Sequence, residues 1–187
     1  MRELDIQKLK AVILYLLNNM PEDSRDIYHI VKTAYYAQKN HLVNYALPLF
    51  NDKIVALKFG PVPSLIYNVL RASRGDSDPW HFCDDHLLNR LSAVIECKDE
   101  WFYAKQKPDM ECLSESNIKC LDEAIQEVSK MGFSDIMKRT HGDEWYRANH
   151  DADSNVMDVV NIARENGASE DVISYLSESL EFSKMAN

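Results

Sequence analysis

The chain has 187 residues, 45% hydrophobic and 27% charged, with five glycines and six prolines, a composition that fits one ordinary globular domain and excludes a disordered or fibrous class. Thirty acidic against 21 basic residues leave a net charge of −9, which argues against a general phosphate-backbone binder and favours a basic partner. No run of about twenty apolar residues could span a membrane, and Cys83, Cys97, Cys112 and Cys120 lack C-x-x-C spacing, so they read as reduced thiols of a cytoplasmic protein.

In chain order, residues 4–19 predict a first helix with Leu9, Val12, Ile13, Leu16 and Leu17 on one stripe and Pro21 just past its end. Its apolar run, 11–17, has a short basic flank like a signal peptide's, but Glu3 and Asp5 spoil that flank and no small-residue cleavage site follows. A second helix is expected from Asp23 or Ser24 to about residue 44, through Ile27, Ile30, Val31, Ala34, Tyr35, Gln38, His41 and Leu42. Pro48 and Asn51-Asp52 mark a loop, and residues 54–59 read as a strand running into the corner Gly60-Pro61-Val62-Pro63. Pro63 suits the first position of a third helix, which ends near Gly75.

Residues 75–80 have loop composition, and 92–97 and 101–106 predict a hairpin around the three residues Lys98-Asp99-Glu100. Joined to the strand at 54–59, it would make a small, mostly antiparallel three-stranded sheet in a predominantly α-helical α+β fold. A fourth helix is expected over 114–131, stopped by Gly132, and a shorter one from Ser134-Asp135, with a break at Gly142. The last residues predict a helical pair, 154–166 and 169–185, packed on the same domain.

No glycine-rich phosphate loop occurs. Two arrangements could carry enzyme chemistry: Ser64 with His41 and His141, or a metal on His81, Cys83 and His86 joined by Cys97. Neither has a spacing that defines a known catalytic or zinc motif, and Ser64 is more simply read as helping to satisfy the free N–H groups at the start of the third helix. Gln38 and His41 stand out for another reason: at core-facing helical positions they must find hydrogen-bond partners, and the backbone at Gly60-Pro61 is the expected one.

Tyr35-Tyr36-Ala37-Gln38-x-x-His41-Leu42, Pro48-Leu49-Phe50 and Ala56-x-Lys58-Phe59-Gly60-Pro61-Val62-x-x-x-x-Tyr67 follow one another in an order and spacing that resemble the Panacea domain. This is the SocA-like antitoxin domain, earlier grouped with phage-associated proteins. Leu113-Ser114 and Thr140-His141-x-x-x-Trp145-x-x-Ala148 resemble its C-terminal block, so the likeness covers about residues 5–150. It implies a mainly helical domain with a small sheet over 1–150, no enzymatic activity and no cofactor; the helical pair at 151–187 lies beyond the likeness. It further implies an antitoxin that neutralises a cognate toxin, encoded beside it, by direct binding, with delivery to a protease in some members; the alternative partner is a host regulator bound by a phage-associated adaptor.

The positions that carry over as partner-binding or fold-defining candidates are Tyr35, Tyr36, Gln38, His41, Lys58, Phe59, Gly60, Pro61, Val62, Tyr67, His141 and Trp145. Val55 and Leu57 depart from the pattern, standing where an acid and a tryptophan are frequent. No helix-turn-helix segment is recognisable, so autoregulation through DNA has no support.

Overall fold

Leu9, Val12, Ile13, Leu16 and Leu17 recur at helical spacing and are all buried on α1 (Glu3–Asn19) of the computed structural model, which describes residues 1–76 and 84–185. Pro21 forces Met20 into extended angles, φ −70° and ψ 146°, and so ends the helix. Helix α2 (Ile27–Tyr45) begins later than expected, because Asp23 and Ser24 form a separate 3-10 turn, Glu22–Ser24. Asp26 caps it instead, accepting from the Tyr28 and His29 amides at 2.9 and 3.1 Å. The residues of α2 from Ile30 to Gln38 are buried without interruption, so this helix is a central axis rather than a surface element.

The stretch expected to be one strand and a corner is a hairpin. Strands β1 (Ile54–Leu57) and β2 (Gly60–Pro63) pair antiparallel, Leu57 opposite Gly60, around Lys58 and Phe59. Proline cannot donate to a ladder, yet β2 carries two because it is an edge. Gly60, at φ +94°, supplies the angle that closes the turn. Pro63 caps α3 (Ser64–Arg74) rather than opening it, one residue off the expected boundary. The free N–H groups of α3 are satisfied by Asp52, which accepts from Leu65 and Ile66 at 2.9 and 3.2 Å and from Ser64 Oγ at 3.0 Å.

After α4 (Asp85–Ser92), strands β3 (Ile95–Lys98) and β4 (Trp101–Ala104) form the second hairpin, whose turn has two residues, Asp99 and Glu100, not three. The expected three-stranded sheet is two separate two-stranded ones. The second hairpin does not extend β1; residues 155–157 do, through Ala56 N to Asn155 O and Met157 N to Ile54 O, both 2.8 Å. That segment was expected to be helical, but α8 (Val159–Glu165) starts only after Asp158, which caps it.

Helix α5 (Glu115–Val128) opens on a capping box of Ser114 and Asn117, and Gly132 starts α6 (Phe133–Thr140) as its capping residue. Helix α7 (Asp143–Asn149) follows the break at Gly142, and α9 (Glu170–Met185) ends the described chain. Helix α2 packs against α5, β2, α8 and α9, and Ile162, Ala163, Ile173 and Leu176 enter the same apolar core as α1 and α2. The expected 75–80 loop falls largely outside the described residues. Among the described residues no helix is long and apolar enough to cross a membrane.

Candidate functional site

The motif residues on α2 divide between two jobs. Gln38, fully buried, accepts from the Leu49 and Phe50 amides at 2.8 and 3.2 Å and donates to the Phe50 carbonyl at 3.2 Å. His41 donates from Nδ1 to the Leu47 carbonyl at 2.7 Å. A carbonyl can only accept, so Nε2 carries the lone pair, and it receives Asn117 Nδ2 at 3.0 Å and Ser116 Oγ at 3.2 Å. Burial, reinforced by Lys8, holds this imidazole below its ordinary pKa and therefore neutral. Gln38 and His41 thus fasten the 46–50 loop and the start of α5, and not the Gly60-Pro61 backbone that was expected.

Lys32 reaches that backbone instead. Its ammonium is fully buried and donates to the Pro61 carbonyl at 2.8 Å, with the Tyr28 ring at 5.4 Å. It has no carboxylate partner among the described residues, and burial alone pulls its pKa down to about 7. A Cβ on Gly60 would stand 2.7 Å from Lys32 Nζ, 2.7 Å from Thr140 Oγ1 and 3.4 Å from His141 Cε1, so glycine's missing side chain is what lets β2 lie on α2 and the end of α6.

Around this joint the second block converges. His141 donates Nδ1 to the Met137 carbonyl at 2.5 Å and meets the Trp145 ring at 3.7 Å between centroids. Trp145 donates Nε1 to the Leu57 carbonyl at 2.9 Å, and Asn149 adds a bond to the Ala56 carbonyl, so α7 is stapled to β1. Two buried polar atoms lack a hydrogen-bond partner among the described residues, His141 Nε2 and Tyr36 Oη. Tyr35 and Tyr36 meet edge to face at 6.0 Å, and Lys39 covers the Tyr36 ring at 4.2 Å. Pro61 and Val62 are buried in β2.

Lys58 and Phe59 are the exposed members of the motif. They form the tip of the first hairpin, where Phe59, 50% exposed, meets Phe133, 48% exposed, at 5.7 Å, and Tyr28 stands 4.8 Å beyond Phe133. Tyr67 lies elsewhere, half-buried on α3 beneath the Arg71 guanidinium.

The residues of the enzyme alternative are dispersed among other partners: Ser64 Oγ bonds Asp52, His41 bonds Leu47, and His141 bonds Met137. Of the metal alternative, His81 and Cys83 lie outside the described residues, and His86 is exposed on α4. Among the described residues no group of three or more His, Cys, Asp or Glu is placed to hold a metal ion.

Lys32 and Asp52 are the contributors that sequence reading missed, while Thr140 stood in the quoted C-terminal block without being carried over as a candidate position. A signal for Lys32 existed: it falls four residues from both Tyr28 and Tyr36, inside a helix face that is otherwise apolar and aromatic.

A family model described as Antitoxin SocA-like, Panacea domain, matches residues 30–146, from the first turn of α2 through the tip of the first hairpin to Trp145 and Tyr146. No curated protein and no solved structure matches. The match takes in more than half of the chain and both blocks of the joint, and the chain belongs to the family of SocA-like antitoxins with a Panacea domain.

Proposed function

We propose that this protein is an antitoxin that neutralises a toxin, encoded by an adjacent gene, by binding and occluding it in the cytoplasm without chemistry or a cofactor. Membership of the SocA-like family carries this reading. The surface supports it: Phe59, Phe133 and Tyr28 form an aromatic patch beside Lys58, and such residues anchor protein interfaces. The patch stands on a joint held by buried hydrogen bonds, so little ordering cost falls on binding. A net charge of −9 complements a basic toxin. In this reading Lys58 and Phe59 touch the partner, while Gln38, His41, Gly60, His141 and Trp145 hold the scaffold that presents them. Delivery of the bound toxin to a protease would be a later step on the same complex.

The test is co-expression with the product of the neighbouring reading frame. Growth rescue and co-purification are expected, and the double change Phe59→Glu and Phe133→Glu should weaken the complex by about tenfold or more while leaving the melting curve unchanged. If the wild-type protein neither rescues growth nor co-purifies with its true neighbour, the proposal fails.

A further inference from the structure

A cleft of about 340 Å³ lies between α7 and the end of α8, lined by Tyr35, Thr140, Asp143, Trp145, Met157 and Glu165. Its volume is at the small end for a ligand site and suits one long side chain.

The charged residues lining the cleft are two acids, Asp143 and Glu165, and one base, Arg139. Asp143 and Glu165 form no ion pair among the described residues; the Glu165 carboxylate is held only by the Glu144 backbone N–H. Burial, with Asp143 and Glu144 nearby, pushes the Glu165 carboxyl above its ordinary range. Glu144 beneath it is different, since Arg147 pairs with it at 2.6 Å. Gly142 keeps the way to Glu165 open, because a Cβ there would stand 2.8 Å from Glu165 Oε2.

The second, independent observation is Tyr35. It is 5% exposed and lines the cleft, and no described residue hydrogen-bonds its hydroxyl, which, unlike the buried Tyr36 Oη, is open to solvent. Burial, then Tyr36, Glu165 and Glu144 push its phenol upward, which places the hydroxyl in the field of the cleft's carboxylates and keeps it protonated. The Trp145 ring, fixed through Nε1 by Leu57, forms an aromatic wall, and Met157 forms an apolar one. Arg139 at the rim is paired with Glu127 at 3.4 Å.

We infer that this cleft receives an arginine side chain of the protein partner, its guanidinium set between the Glu165 and Asp143 carboxylates, on the Trp145 ring and against the Tyr35 hydroxyl. A planar cation that forks onto carboxylates and stacks on indole is what these walls complement. The source of the side chain rests on the antitoxin reading; the chemistry of the cleft does not.

The experiment therefore has two arms. Agmatine, a free guanidinium, is titrated into the full chain while the Trp145 indole N–H is followed by NMR. A saturable shift at millimolar concentration is expected, weakened about fivefold or more by Tyr35→Phe and by Glu165→Gln, neither of which changes the melting curve. Absence of saturation, undiminished binding by Glu165→Gln, or competition by inorganic phosphate overturns the inference. In the second arm the same two variants should weaken the toxin complex. If they leave it untouched while Phe59→Glu disrupts it, the cleft inference falls and the antitoxin reading stands. If the wild-type protein binds no toxin but takes agmatine, the partner assignment falls instead.

Discussion

Lys32 is the residue on which the joint turns, and its ionisation is a direct handle on it. Burial lowers its pKa from 10.5 to about 7, so between those values the unfolded chain holds a proton that the native chain has released. Stability contributed through this group therefore rises with pH across that window and is flat below it. The Lys32→Met variant, of similar length and uncharged, should show a smaller rise in the urea midpoint between pH 7 and 9 than the wild type, and equal slopes would mean that the amine is solvated. A second prediction concerns Gly60. Valine there meets both the left-handed backbone and the 2.7 Å contacts with Lys32 and Thr140, and should cost roughly 3 kcal/mol or more. Gly75→Ala shares the positive φ of +91° but has open space around it, so it should cost only about 1–2 kcal/mol by chemical denaturation. The need of Gln38 and His41 for buried partners was legible from residue type and helical position, whereas the identity of those partners was not. Leu47 and Phe50 are near in sequence but reach the helix only because Ala46 turns the chain at φ 53°, an angle that an alanine does not announce.

At the scale of elements, both hairpins were harder to read than the helices. Residues 54–59 look like one strand because Phe59, a turn residue, is as apolar as the strand before it, and Pro61 and Pro63 look like a corner because they cannot donate. The long helices were plain since each has an uninterrupted 3.6-residue stripe, as in Ile118, Leu121, Ile125 and Val128 on α5. The turn between β3 and β4 has positive φ at Asp99 and Glu100, 49° and 72°, the pattern of a tight turn that favours Asn-Gly. Glutamate is poorly suited to the second place, and its pairing with Arg74 is 71% exposed on the Glu100 side, which makes that pair worth little. The double change Asp99→Asn and Glu100→Gly should therefore stabilise the protein by about 0.5–1 kcal/mol, read as a rise of a few degrees in thermal midpoint. A fall would show that the Arg74 pair matters more than the backbone.

For the whole molecule, α2 sets the order of construction: its buried length is covered by α5 on one side, by β2 at the joint, and by α8 and α9 after the chain has passed the family's matched region. Residues beyond 150 do three separate things: 155–157 extend β1, Glu165 caps the start of α7 through the Glu144 amide, and Ile162, Ile173 and Leu176 are buried in the common core. Burying three such side chains contributes about 5 kcal/mol or more, which is comparable with the entire stability of an ordinary domain. We accordingly expect a chain ended at His150 to lose cooperative unfolding in urea and to bind a hydrophobic dye, even though every motif residue named here is still present. Retention of the full-length midpoint would instead make the helical pair a detachable appendage. The arginine cleft separates the two cases further, because Met157 and Glu165 leave with the tail. A shortened chain that stayed folded and still bound toxin, but no longer responded to Tyr35→Phe, would place the tail's contribution in recognition rather than in folding.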